Sequence, residues 1–207
     1  MKKTFFCVIS AFLLSGCLAV QSSPTPRFYM LHSISKDTAV QKFDIPKETI
    51  IEIGPVNIPQ YLDRPQIVTQ DKNKMLFFAQ FDRWGEFLDS SLTRVISENL
   101  TLMLPEVSLQ MFPCNLTIPL KYQVIIDIVQ LDSSLDSGVY LVAQWSIIAR
   151  QNNQMLFTKR SEVSQVINKH SYSGLAEAIS AASLSLSTEI AQALSSLQEQ
   201  EKAIKTK

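Results

Sequence analysis

Glycine is scarce in this chain. It occurs five times in 207 residues, with no two within ten positions of one another, whereas a loop that cradles phosphate or closes on a dinucleotide needs several glycines close together. The sequence therefore offers no site for nucleotide hydrolysis. Histidine is scarcer still, with His32 and His170 alone, and neither a Cys-x-x-Cys nor a His-x-x-x-His spacing occurs, so no metal site of recognisable pattern is present. There is no Gly-x-Ser-x-Gly turn to present a nucleophile, and the many serines gather near the C-terminus, where they read as small packing residues. The chain is accordingly expected not to be an enzyme. Charge of one sign is missing too: nineteen basic residues balance nineteen acidic ones, which argues against nucleic acid as a partner. No apolar run approaches the roughly twenty residues that span a bilayer as a helix.

Cysteine is limited to Cys7, Cys17 and Cys114, too few for a disulfide framework. One of them organises the chain. Leu14-Ser15-Gly16-Cys17 resembles a bacterial lipobox, in which a diacylglycerol is joined to the cysteine thiol and the chain is cut just before it. Lys2 and Lys3 supply a positive start, and Phe5 to Leu14 is apolar apart from Ser10, a segment of targeting length rather than spanning length. The alternative is an ordinary secretory signal cut after Ala19. The expected division is a signal peptide over residues 1–16, a lipidated tether over 17–26, a folded domain over 27–198 and a charged tail over 199–207. Covalent lipid on Cys17 is the only added group expected; no cofactor and no metal are. Each buried CH₂ of an acyl chain contributes about 0.8 kcal/mol, so two or three chains anchor stably where one does not. Leu18 stands where an aspartate would favour the inner membrane, so the expected location is the periplasmic face of the outer membrane. Cys114 reads as a half-buried loop thiol.

The remainder alternates between strand and helix signals. Arg27 to His32 and Thr49 to Ile53 read as strands, the second stopping at Gly54-Pro55. Gln66 to Gln70 and Met75 to Gln80 flank Asp71-Lys72-Asn73-Lys74 as a hairpin. Glu86 to Leu104 carries Leu88, Leu92, Val95, Ile96 and Met103 on one helical face, with Arg94 and Glu98 as a solvated pair on the other. Alternating apolar positions then predict strands through Val107 to Met111, Tyr122 to Leu131, Val139 to Ile148 and Met155 to Val166. Leu175, Ile179, Ala182, Leu186, Ile190, Ala193 and Leu197 form a helical stripe, with Ser171 or Ser173 available as its cap. Glu199 to Lys207 reads as a frayed end.

Ile53-Gly54-Pro55-Val56, Ile58-Pro59, Tyr61-Leu62-Asp63-Arg64-Pro65-Gln66-Ile67-Val68, Trp84-Gly85-Glu86, Arg94-Val95 and Glu98-Asn99-Leu100 together resemble the ABC-transport auxiliary lipoproteins of the PqiC type. The resemblance covers roughly Phe28 to Leu104 and departs at Phe87, where relatives often carry proline. It implies a single three-layer α/β/α domain with a mixed sheet and helices on both faces, similar to the TolB amino-terminal domain. It also implies a non-catalytic subunit of a PqiABC-like lipid-transport system that supports membrane integrity. The implied partners are an inner-membrane transport subunit and a periplasm-spanning protein of the mammalian-cell-entry type. A free-standing periplasmic carrier of lipid or another hydrophobic ligand is the alternative; an exported hydrolase lacks the residues it needs.

One stretch stands out as a candidate partner-binding surface. Pro55, Pro59 and Pro65 hold Gly54 to Pro65 extended, and Val56, Ile58, Tyr61 and Leu62 supply apolar anchors beside Asp63 and Arg64. The competing reading is that these side chains plug the end of the core. Asp63-Arg64 and Glu86 are expected to form an ion pair. Because a single tether holds a large partner weakly, a ring or other closed homo-oligomer is a further expectation.

Overall fold

The structure, a computed structural model, describes residues 24–205 apart from residues 48 and 116. Cys17, with the expected signal and most of the tether, lies outside the described residues. Ten elements follow in order: β1 (Arg27–Tyr29), β2 (Ile50–Asn57), β3 (Gln66–Gln70), β4 (Leu76–Trp84), α1 (Leu88–Met103), β5 (Ser108–Met111), β6 (Tyr122–Ser134), β7 (Gly138–Ala149), β8 (Gln154–Gln165) and α2 (Tyr172–Lys205).

The sheet is organised by the alternation in β6 and β7. Tyr122, Val124, Ile126 and Ile128 point one way on β6, as do Val139, Leu141, Ala143, Trp145 and Ile147 on β7, and all are buried. Antiparallel pairing sets Val124 opposite Ile147 and Ile126 opposite Trp145, so β-branched and aromatic groups meet across the ladder, as sheet stability requires. The opposite side chains Asp127 and Val129 are exposed. Around this pair the five-stranded sheet runs β5-β2-β6-β7-β8, and a three-stranded sheet runs β1-β4-β3. β2 is parallel to both β5 and β6. β1 is parallel to β4, and β3 is antiparallel to it.

Both helices bury their apolar stripes against the larger sheet, α1 over β2 and β5 and α2 over β7 and β8, and they also pack against each other. The expected mixed α/β domain is what forms. Its layering needs correction, since the helices share one face of the sheet instead of taking one face each. The cause is visible in the strands: only one side of β6 and β7 carries an unbroken apolar row. Between helices and sheet, Leu92, Val95, Ile96, Leu100, Leu175, Leu186, Ile190 and Leu194 close the core. Ser183 and Ser187 are buried there and donate to the carbonyls of Ile179 and Ser183, so their hydroxyls need no outside partner.

Three expected boundaries move. β2 does not stop at Gly54-Pro55 but continues to Asn57 through an irregularity between Ile53 and Val56. α1 begins at Leu88, with exposed Phe87 at its N-cap. α2 runs on to Lys205, so residues 199–205 of the expected frayed tail are helical. Gln198 there donates to the Tyr122 hydroxyl at 2.6 Å, and that hydroxyl in turn donates to Glu201. Burial, and then that bond to Glu201, push the Tyr122 phenol far above its ordinary range. At the other end Ser171 caps the helix, its hydroxyl accepting from the Gly174 N–H at 3.1 Å.

Candidate docking site

The Gly54–Asn57 end of β2 borders a groove beside the proline-rich segment. Gly54 has φ +109°, a conformation that disfavours any side chain, and a Cβ there would sit 3.1 Å from the Phe112 Cβ. The buried Gln123 side chain donates to the Gly54 carbonyl at 2.8 Å, and the Phe112 N–H donates to the Ile53 carbonyl at 2.9 Å. These bonds hold the end of β2 against β6 and against the end of β5. Between them and the start of α1 lies an open groove of about 440 Å³, floored by Pro55, Val56, Met111 and Phe112 and rimmed by Asn57, Glu86, Asp89, Ser90, Thr93 and Arg94.

The polar rim is already committed to internal bonds. Arg94 donates to Glu86 at 3.2 Å and to the Leu31 carbonyl at 3.0 Å, and Ser91 donates to the same Glu86 oxygen at 2.9 Å. The Asn57 side chain donates to Asp127 at 2.6 Å. A rim so satisfied beside exposed Met111 and Phe112 suits an apolar segment of a partner, the common anatomy of interfaces. It does not assemble a nucleophile and a base. A serine–histidine pair occurs elsewhere, Ser180 and His32, 3.5 Å apart, but the Ser180 hydroxyl donates to the Ala176 carbonyl and accepts from the His32 backbone N–H. Among the described residues no group of three or more His, Cys, Asp or Glu side chains could hold a metal.

With the geometry in place, comparison with known proteins is decisive on one point. The family of ABC-type transport auxiliary lipoprotein components matches residues 29–191. The chain belongs to this family. As a member it is an auxiliary component of an ABC-type transport system. The fold is similar to that of an uncharacterised protein of known structure, with TM-score 0.68, 16% identity, and coverage of 83% of this chain and 99% of that one. It is also similar to protein XCC0632 from Xanthomonas campestris, with TM-score 0.62, 10% identity, and coverage of 88% and 99%. At such identities these likenesses concern the fold alone. No curated protein matches the chain.

The partner-binding residues named from sequence separate into two groups in this family member. Val56 and Leu62 are buried in the core, 6% and 3% exposed, so they shape the surface from beneath. Ile58 and Tyr61 are half-buried against the core, and Asp63 is exposed. The Tyr61 hydroxyl lies 3.5 Å from the Leu131 N–H, and burial raises its phenol above the ordinary range. The Arg64 guanidinium lies 4.3 Å over the Phe78 ring. The expected ion pair of Asp63-Arg64 with Glu86 is replaced by the pairing of Glu86 with Arg94. Sequence reading missed Met111 and Phe112 as groove residues, although Met111 ends a strand paired with β2 and Phe112 follows it. It also missed Arg94, which it left in solvent with Glu98: that contact is the longer one, at 3.5 Å.

Proposed function

We propose that the chain is a non-catalytic lipoprotein subunit of an envelope lipid-transport system, anchored through lipid on Cys17 at the periplasmic face of the outer membrane. In this reading it receives or steadies a periplasm-spanning protein of the mammalian-cell-entry type, which connects to an inner-membrane transport subunit. Such bridging supports membrane integrity. The observation that carries the reading is the family match over residues 29–191. Two structural facts support it. No helix among the described residues is long and apolar enough to cross a membrane, and an anchor at Cys17 would need none. Asp63, Met111 and Phe112 are exposed and Tyr61 is half-buried, on segments that end or follow β2 and β5.

A free-standing lipid carrier would need to hold its ligand in a hollow shielded from water. The groove between β2 and α1 is open along its length, and the core beneath the helices is filled by side chains of zero or near-zero exposure. Extraction of the purified full chain and analysis of the extract test the point. Anchor lipid alone is expected; one equivalent of additional lipid per chain would favour the carrier. Tyr61→Ala with Asp63→Lys should leave the fold intact and weaken partner capture. If the double variant captures its partners as well as the native chain, the docking surface is elsewhere.

A further inference from the structure

Met75, Leu76, Phe77 and Phe78 are four consecutive large apolar residues, and all are exposed, by 56%, 38%, 49% and 47%. Neighbours along a strand point to opposite faces, so this part of β4 presents apolar surface on both sides, with the Arg64 guanidinium over one side of the Phe78 ring. Its outer edge is also open, because β1 pairs only with Asp82, Arg83 and Trp84. A flat protein partner would cover one face of such a strand, whereas a fluid medium surrounds both. We propose that this hairpin end rests in the interfacial layer of the membrane to which the chain is anchored, with the Phe77 and Phe78 rings at the headgroup–acyl boundary. The inference rests on the anchor at Cys17.

The placement of the tether favours a lipid surface over a second copy of the chain. β1 runs parallel to β4 and begins opposite Asp82, so the chain enters the sheet from the side of Phe78. Phe78 lies roughly 13 Å further along the strand at the usual rise. Cys17 to Pro26 supplies a tether that extends to about 33–36 Å at most, enough for anchor and hairpin to share one bilayer surface. Lys72, at the exposed turn, is placed to meet anionic headgroups. Lys74 is tied to Asp132 at 2.9 Å and fixes the hairpin against the end of β6. Val166, 75% exposed, lines the same recess as Lys74 and widens the apolar end. The depth is limited by the open edge of β4: its backbone groups must stay hydrated, so the rings dip in while the strand remains among headgroups.

The test uses the full chain purified with its anchor and reconstituted into vesicles of phosphatidylethanolamine and phosphatidylglycerol, with or without nitroxide-bearing lipid. In a Cys114→Ser background, an environment-sensitive fluorophore is attached at Met75→Cys or at Met155→Cys. Met155 is matched in exposure, at 57%, but lies at the far end of β8. The expected result is a blue shift and loss of most emission to nitroxide lipid at position 75, little change at 155, and relief of quenching at 75 when Phe77→Ser and Phe78→Ser are added. Equal quenching at the two positions overturns the proposal. So does a blue shift at 75 that nitroxide lipid leaves unquenched and that disappears on dilution, which would mean a second copy covers the hairpin. The mass of the purified chain reports the anchor separately, so loss of that reading is distinguished from failure of the hairpin to dip.

Discussion

Gly54 and Gly138 show how single positions hold strand ends in place. Both have positive φ, but a Cβ at Gly54 would press on the Phe112 side chain, whereas one at Gly138 would strike the Gln165 backbone carbonyl. A side chain can shift and a paired strand cannot. Gly54→Ala should therefore cost about 1–3 kcal/mol and Gly138→Ala more, measured as a shift of the urea midpoint; equal losses would contradict the difference in surroundings. Asp82 carries a charge effect of known sign. Hydrogen bonds from Arg27 at 2.8 and 2.9 Å, and then one from Tyr29, outweigh burial and hold its carboxyl below the usual range. Its contribution is therefore complete above the ordinary carboxylate pKa, about 3.9, and fades as pH falls through the lower folded value. Asp82→Asn should be less stable than the native chain at neutral pH and lose less further stability on acidification. A parallel decline of the two chains in unfolding titrations would refute that assignment.

Among the elements, periodicity made β6, β7, β8 and the two helices legible, because each spends an apolar face on one core. Other features escaped it because their causes are distant in sequence. Nothing within Ile50–Asn57 announces that the strand passes through Gly54-Pro55; the reason lies in Gln123 and Phe112, which bind the backbone there. The charged end of α2 looked frayed for the same kind of reason. Gln198 is 2% exposed and Lys121 donates to Glu201 at 2.8 Å, so the final turns are held by β6. Ending the chain after Leu197 should leave the Tyr122 hydroxyl buried without these partners and cost about 1–3 kcal/mol. Thermal unfolding of the shortened chain checks this; an unchanged midpoint would mean that the last turns add nothing.

At the scale of the whole molecule, both helices cover the sheet from the same side. The resemblance placed helices on both faces of the sheet; the structure leaves Val129 exposed on the second face of β6 and stacks both helices on the other. The candidate site was legible as a stiff segment after β2. Its distribution between core and surface was not, since burial of Val56 and Leu62 depends on strands that follow much later. The parts nevertheless point in compatible directions. The chain enters the sheet beside an apolar hairpin, and a groove opens at the ends of β2 and β5, as would suit a small component held at a membrane and docked to something larger. Affinity capture of the full chain from detergent-solubilised native membranes, with the co-purifying proteins identified by mass, tests that account most directly. The account predicts recovery of a mammalian-cell-entry-type protein together with an inner-membrane transport subunit; recovery of the chain alone, under conditions that keep its anchor and fold intact, would contradict it.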